Sequence, residues 1–201
     1  MDFLGTIITL VILIFSAILH EVAHGYVAER FGDPTARLAG RLTLNPKKHI
    51  DPLMSIFLPL ILIITGSPVI IGGAKPVPID PFNLKEGRKD MALVSLAGPL
   101  TNLLLAIAGS FLLKLFPSEI FAIIVQINLL LTIFNLLPIP PLDGSKVFAL
   151  LLPEKTANAY LGLGSFGMII IFILLLNPIG GFSLGRLIFT LLSFSEKLLG
   201  L

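Results

Sequence analysis

The sequence predicts an all-α polytopic membrane protein, and its composition and long apolar runs carry that prediction. Hydrophobic residues make up 55% of the 201 residues and charged residues only 13%, whereas soluble domains carry about 25% charged residues. The mean hydropathy is +0.99. The chain has no cysteine, which excludes a disulfide framework and a thiolate metal site.

The apolar runs predict a three-span core followed by about two C-terminal spans. The first predicted span covers Phe3–Ala28 and ends before a Gly-Asp-Pro breaker. Leu53–Ile64 is apolar but short, which favours a re-entrant hairpin with short strands after it over a full crossing. The other predicted spans are Met91–Leu115, Ile120–Leu137, Leu161–Leu176 and Leu184–Leu199. We assign residues 1–157 to the core and 158–201 to C-terminal helices of the same membrane domain.

The basic residues predict the orientation of these spans in the cell membrane. Nine of the fourteen lysines and arginines lie between the first and second predicted spans. Positive residues collect on the cytoplasmic side of a membrane, so this segment is expected to be cytoplasmic and the N-terminus outside. The first and third spans then run inward, and both end near the cytoplasmic face.

Three ionisable residues, His20, Glu21 and His24, lie inside the first predicted span. Residues four apart share one face of a helix, about 5.4 Å apart along its axis. Both imidazoles can therefore reach one metal ion, with Glu21 beside them as a candidate base. A chance match to HExxH usually lies on a solvated polar face, but at membrane depth the cost of burying charge favours a bound cation.

Asp143 is the best-placed third ligand, because the third span brings it to the depth of the two histidines. A catalytic zinc site takes three protein ligands and keeps one position for water. His49 and a few loop carboxylates are the competitors. Asp143 has an alternative role as a cap of the helical piece that begins at Gly144, and one residue can both cap and ligate.

Two separated motifs resemble the site-2 protease family of intramembrane zinc metalloproteases. One is the run from His20 to Gly25, and the other is the run from Asn135 to Gly144, which follows the pattern N-x-x-P-x-x-x-L-D-G. Further likenesses lie at Gly40–Pro46, His49–Pro52, Ala74–Pro78 and Ala97–Asn102. The resemblance covers roughly residues 16–150 and is strongest to short bacterial or archaeal members without a PDZ or CBS domain.

The resemblance implies a zinc metalloendopeptidase with one Zn²⁺ per chain that cuts in or beside transmembrane segments of substrate proteins. It implies that Glu21 takes the proton of the attacking water and passes it to the leaving amine. Asn135 resembles the family's active-site asparagine, which implies an amide donor to the oxyanion; the alternative is an interhelical hydrogen bond. The expected partners are transmembrane substrates and the lipid bilayer, and no nucleic acid is expected.

The alternative function is a metal-ion transporter or a metal-binding membrane protein without catalysis. Histidines and aspartates that line membrane spans also form ion pathways. A transporter is expected to show a second intramembrane cluster and internal duplication, and the sequence shows neither. Hydrolysis, unlike transport, requires a base beside the ligands, and Glu21 stands at that position.

Four further residues have local interpretations. His49 and Asp51 are candidates for hydrogen bonds to the metal ligands, or for a juxtamembrane turn. Gly98 and Asn102 are expected to serve close packing of helices.

Overall fold

The structure, a computed structural model, describes residues 3–51, 57, 61, 64, 74–176, 180 and 183–201. These residues form helices and irregular connections, with no strand among them. Helix α1 covers Phe3–Arg30 and helix α3 covers Arg88–Leu115, each of 28 residues, or about 42 Å at 1.5 Å per residue. Both are long and apolar enough to cross a membrane.

The other helices are shorter. They are α2 (Thr35–Leu38), α4 (Glu119–Asn135), α5 (Asp143–Ala149), α6 (Glu154–Leu161), α7 (Gly164–Leu176) and α8 (Leu184–Leu198). Single 3₁₀ turns lie at Pro46–Lys48 and Pro81–Asn83.

The helical membrane class is confirmed for the described residues, but the number of spans is met only in part. The third predicted span forms α4, which is apolar but 17 residues long, a turn short of the roughly 20 that a crossing needs. It ends at Asn135 because the proline-rich run that follows cannot continue a helix. Helix α6 and most of α7 meet at 71°.

Length and composition therefore give two spans among the described residues, or three if the bent pair of α6 and α7 is counted as one. Helix α8 has 15 residues and carries Arg186, Glu196 and Lys197, so the C-terminal pair of spans stays a prediction. The predicted hairpin at Leu53–Ile64 lies largely outside the described residues. The short extended pieces after it were expected at residues 69–71, which lie wholly outside them, and at Val77, which is described and belongs to an irregular segment with no strand.

The bundle is centred on α3, which packs against α1 on one side and α4 on the other. The buried face of α1 includes residues spaced four apart: Ser16, His20, His24 and Ala28. The buried face of α3 includes a row of small or polar residues: Gly98, Asn102, Ala106 and Gly109. Small side chains let helix backbones approach closely in a membrane, so the histidine-bearing face of α1 lies directly against α3.

Asp33, which is fully buried, joins the loop after α1 to the segment before α3. Its carboxylate accepts hydrogen bonds from the Thr35 amide at 3.0 Å, the Asp80 amide at 2.7 Å and the Asn83 carboxamide at 3.0 Å, and from the Thr35 hydroxyl. Burial raises the pKa of this carboxyl, but the hydrogen bonds outweigh it and hold the pKa below its usual value. The segment 74–83 is thereby anchored at the end of α1.

Helix α5, which begins with Asp143, is held at both ends. At its C-terminal end, the Arg88 guanidinium donates to the Leu152 carbonyl at 2.9 Å and to the Ala149 carbonyl. Before its N-terminal end, Leu137 and Leu142 lie in an apolar cluster with residues of α7 and α8. The C-terminal helices therefore support the turn that precedes Asp143.

Candidate metal centre

The side chains of His20, His24 and Asp143 converge on one point between α1 and α5. Asp143 Oδ2 lies 3.1 Å from His20 Nε2 and 3.2 Å from His24 Nε2. The two histidines are buried and the aspartate is partly buried. The structure thus brings together the three ligand-type side chains that the sequence singled out, although 123 positions separate His20 from Asp143.

Hydrogen bonds behind the two rings determine which nitrogen of each imidazole carries the proton. His24 Nδ1 lies 2.7 Å from the Val94 carbonyl, which can only accept, so this nitrogen donates. His20 Nδ1 lies 2.6 Å from Asn102 Oδ1, which also accepts. In a neutral imidazole only one nitrogen carries a proton, so both Nε2 atoms turn a lone pair toward Asp143.

Three electron-pair donors that face one another repel unless a proton or a metal ion lies among them. Zinc bonds of about 2.0–2.1 Å in tetrahedral geometry place ligand atoms about 3.3 Å apart. The observed separations of 3.1 and 3.2 Å agree with that spacing. Two imidazoles and one carboxylate therefore fit a zinc ion, and a four-coordinate ion keeps one position for water or substrate.

Because Gly98 of α3 has no side chain, the space next to the Nε2 atoms of both histidines stays open. A Cβ atom at this position would lie 2.5 Å from Nε2 of His20 and from Nε2 of His24. Val94 and Asn102 lie one turn before and one turn after Gly98 on the same helix, so one stripe of α3 contacts both rings. Gly98 was expected to allow close packing of helices. In the structure, the atoms that lie in the space beside this glycine are those of the His20 and His24 rings.

Glu21 lies on α1 beside the first histidine and is partly buried. Its Oε2 accepts a hydrogen bond of 2.7 Å from the Val77 amide. Val77 belongs to the irregular segment 74–80, and Lys75 of this segment is held on both sides: its carbonyl accepts from Arg41 at 2.7 Å and its amide donates to the His49 carbonyl at 2.7 Å. One oxygen of the Glu21 carboxylate is thereby fixed by a segment that is itself anchored.

The remaining candidates lie in other environments. Asp143 is the first residue of α5; Leu142 holds the N-cap position and makes no side-chain cap bond, so the interpretation of Asp143 as a helix cap is wrong. Asn135 is the last residue of α4, and its carboxamide donates to the Leu131 carbonyl at 3.0 Å within the same helix. The role of Asn135 toward an oxyanion stays a prediction.

His49 does not contact the metal ligands. Its Nε2 lies 2.8 Å from the Thr43 carbonyl, and the side chain is buried. The juxtamembrane-turn interpretation of this residue is the one that the geometry favours.

Sequence reasoning missed several contributors to the site. Asn128 of α4 is an amide within an apolar span, which is by default a functional-site candidate, so that signal was present. Val94 and Val77 contribute through backbone groups, which leave no trace in residue type. Asn102 was expected only to pack helices, whereas it also bonds His20, one of the candidate ligands.

The fold and the site are those expected of an HExxH metallopeptidase, with the motif on an apolar helix long enough to cross a membrane. The sequence pattern of Peptidase family M50 matches residues 8–118 and 114–176. The chain therefore belongs to family M50, the site-2 protease family.

Curated relatives cover most of this chain. It is 40% identical over 186 residues to "Putative zinc metalloprotease YwhC" of Bacillus subtilis, covering 86% of this chain and 81% of that protein. It is 33% identical over 174 residues to "Putative zinc metalloprotease Rip2" of Mycolicibacterium smegmatis, covering 82% of this chain and 65% of that protein. An archaeal protein, "Putative zinc metalloprotease MJ0611" of Methanocaldococcus jannaschii, is 34% identical over 146 residues, 70% of this chain and 69% of that protein. No solved structure matches the chain significantly.

Replacing Gly98 with alanine is expected to weaken zinc binding by about 10–100-fold, the usual effect of mutating a residue that supports a metal ligand. The new methyl group pushes against both Nε2 atoms, while the helix itself tolerates alanine well. The measurement is the zinc dissociation constant of purified protein by competition with a chromophoric chelator. Gly109→Ala is the matched control, since the atoms nearest to a Cβ there belong to Ile124 and Val125 of α4. Equal affinities of Gly98→Ala and wild type would contradict the proposed metal position.

Proposed function

We propose that the chain is an intramembrane zinc metalloendopeptidase that hydrolyses peptide bonds in or beside transmembrane segments of substrate proteins. The observation that carries the proposal is the convergence of His20, His24 and Asp143, with Glu21 adjacent, in a helix bundle built on membrane-spanning helices. Membership of family M50 and relatives named as zinc metalloproteases support the same chemistry. We propose one zinc ion per chain.

Zinc, when bound, lowers the pKa of a coordinated water toward about 7 and polarises the scissile carbonyl. Glu21 accepts a proton from the attacking water at Oε1, because Oε2 is engaged by the Val77 amide. The water oxygen bonds to the carbonyl carbon, the C–N bond breaks, and Glu21 transfers its proton to the leaving nitrogen. The products are a carboxylic acid and an amine, so the proton and electron pairs balance.

Asn135 is proposed to stabilise the oxyanion that forms on the substrate carbonyl. Its carboxamide has two N–H groups, and one of them donates to the Leu131 carbonyl. The second is available to the oxyanion when the side chain rotates about its χ angles. A donor of this kind acts where charge develops in the transition state, so it affects turnover more than substrate binding.

The site is proposed to lie toward the cytoplasmic side of the cell membrane, with the N-terminus outside. This multi-pass chain carries nine of its fourteen basic residues between the first and second predicted spans, which favours a cytoplasmic location for that segment. His20 and His24 lie in the half of α1 that leads into it. Water from the cytoplasm then has a shorter path to the site than water from outside.

Replacing Glu21 with glutamine is expected to lower the kcat for a single-span substrate by about 10²–10⁴-fold, the usual contribution of a general base. Glutamine cannot accept the water proton, but it keeps the shape of the side chain. Zinc content stays at the wild-type level, because Glu21 is not a ligand. Cleavage of a labelled substrate and bound zinc are measured on the same purified samples.

Glu29→Gln is the matched control for this experiment. It removes a carboxylate from the same helix, where the side chain pairs with Arg37 at 2.7 Å, and it is expected to cleave at the wild-type rate. Wild-type cleavage by a zinc-loaded Glu21→Gln protein would rule out the base role. If zinc is bound but wild type cuts no substrate of a panel, the transporter or metal-binding alternative gains support and ion flux becomes the assay.

Replacing Asn135 with leucine is expected to lower kcat by about 10²–10³-fold with KM nearly unchanged, as for loss of one oxyanion donor. Ser195→Ala is the control. The Ser195 hydroxyl donates to the Leu191 carbonyl one turn earlier at 2.8 Å, so this substitution removes the same kind of bond within a helix. A loss of thermal stability with wild-type kcat would assign Asn135 a structural role instead.

Single cysteines at Lys85 and Glu119 test the orientation, because the chain has no other cysteine. Both side chains are exposed and lie near opposite ends of α3. In intact cells, a membrane-impermeant maleimide is expected to label Glu119→Cys and to spare Lys85→Cys until the cells are permeabilised. The reverse labelling pattern would place the site toward the outside.

A further inference from the structure

Behind His20, two buried carboxamides form a chain of hydrogen bonds through the middle of the bundle. His20 Nδ1 contacts Asn102 Oδ1 at 2.6 Å, and Asn102 Nδ2 donates to Asn128 Oδ1 at 2.8 Å. Asn128 Nδ2 in turn donates to Ser16 Oγ at 3.0 Å and to the Ile124 carbonyl at 2.8 Å. Asn102 is 0% and Asn128 1% exposed, so water does not compete for these bonds.

The direction of every bond in this chain is determined from its far end. The Ile124 carbonyl only accepts, so the nitrogen of Asn128 faces it and the oxygen faces Asn102. Asn102 must then donate toward Asn128, and a second bond of its nitrogen to the Ser16 carbonyl, at 3.3 Å, agrees with this orientation. The oxygen of Asn102 is left to face His20, where it accepts the proton on Nδ1.

We infer that Asn102 and Asn128 are positioning residues for the ligand His20. The chain of two amides holds the proton on Nδ1, fixes the plane of the ring and presents the Nε2 lone pair to the metal. This inference rests on the proposed zinc centre. It adds an account of what fixes the tautomer and the ring orientation of one proposed ligand. A histidine ligand generally needs such a partner on its second nitrogen.

The two histidine ligands differ in how they are prepared. His24 donates to the backbone carbonyl of Val94, which is present whatever side chain stands there. His20 depends on a side chain, and that side chain depends on a second one. Substitution of Asn102 can therefore change the tautomer and orientation of the His20 ring while it leaves the hydrogen bond of His24 intact.

A second side-chain hydrogen bond joins α4 to α3. The Thr132 hydroxyl of α4 shares its proton between the Pro99 carbonyl of α3 at 3.2 Å and the Asn128 carbonyl of its own helix at 2.8 Å. This bond joins the same two helices without contacting His20. Thr132→Val is therefore a matched control, because it removes a buried hydrogen bond between α3 and α4 but leaves the amide chain in place.

The test compares zinc dissociation constants of the purified full chain for wild type, Asn102→Leu, Asn102→Asp and Thr132→Val. Leucine removes the acceptor for Nδ1–H, and zinc binding is expected to weaken by about 10–100-fold. Aspartate keeps an acceptor and is expected to bind zinc within a few-fold of wild type, although it loses the donor to Asn128 and lowers thermal stability. Thr132→Val is expected to bind zinc as wild type does.

A purely structural role predicts a different order. Aspartate, which buries a charge and breaks the bond to Asn128, would then weaken zinc binding at least as much as leucine. That result, or equal affinities of Asn102→Leu and wild type, would overturn the inference. Failure of wild type itself to bind zinc would overturn the metal centre, which is a distinguishable outcome.

Nitrogen-15 NMR of metal-free protein labelled at histidine gives a second readout, which needs no metal affinity. The chain has three histidines, so His20 can be assigned by substitution. In wild type Nδ1 of His20 is expected to carry a proton, whether or not Nε2, which faces Asp143, also carries one. In Asn128→Leu only the 3.3 Å bond to the Ser16 carbonyl still orients the Asn102 amide, so a fraction of His20 is expected to lose the proton on Nδ1; a His20 signal unchanged from wild type would overturn the role of Asn128.

Discussion

Every feature of the centre depends on one constraint: polar groups at membrane depth must find partners inside the protein. Unpaired polar groups are costly there because no water replaces the missing bonds. The rings of His20 and His24 meet this constraint by donating from Nδ1 to α3. That arrangement leaves lone pairs on both Nε2 atoms beside the carboxylate of Asp143. Satisfying the donors on one side of the rings thus leaves lone pairs on the other side, where a proton or a metal ion can bind.

Helix α3 contributes none of the proposed ligands, yet it organises them. Its stripe of Val94, Gly98 and Asn102 supplies a carbonyl, an open space and a carboxamide, each at successive turns. Val94 and Asn102 each bond one of the two rings and lie eight positions apart on α3, and Gly98, midway between them, faces both rings. The centre is therefore a property of a helix pair, in which the ligand-bearing face of α1 meets three successive turns of α3.

The proposed base, Glu21, and the proposed third ligand, Asp143, are held by parts of the chain far from α1. Glu21 is oriented by the backbone of Val77, and that segment is anchored through Asp33 at one end and His49 at the other. Asp143 follows a turn that packs against α7 and α8. Supports of this kind keep catalytic side chains in place, since small displacements of reacting groups lower the rate of reaction strongly.

The sequence by itself determined the membrane class and predicted which side chains meet at the candidate metal centre. His20 and His24 share a face because helix geometry is local, and the cost of buried charge makes them candidate ligands without knowledge of the fold. Only the tertiary structure decided that Asn102 bonds His20 and that Asn128 orients Asn102. The physical reason is that a polar side chain in an apolar helix must have a hydrogen-bond partner, which the sequence reveals. Which partner it contacts depends on the register of the packed helices, which only the tertiary structure reveals.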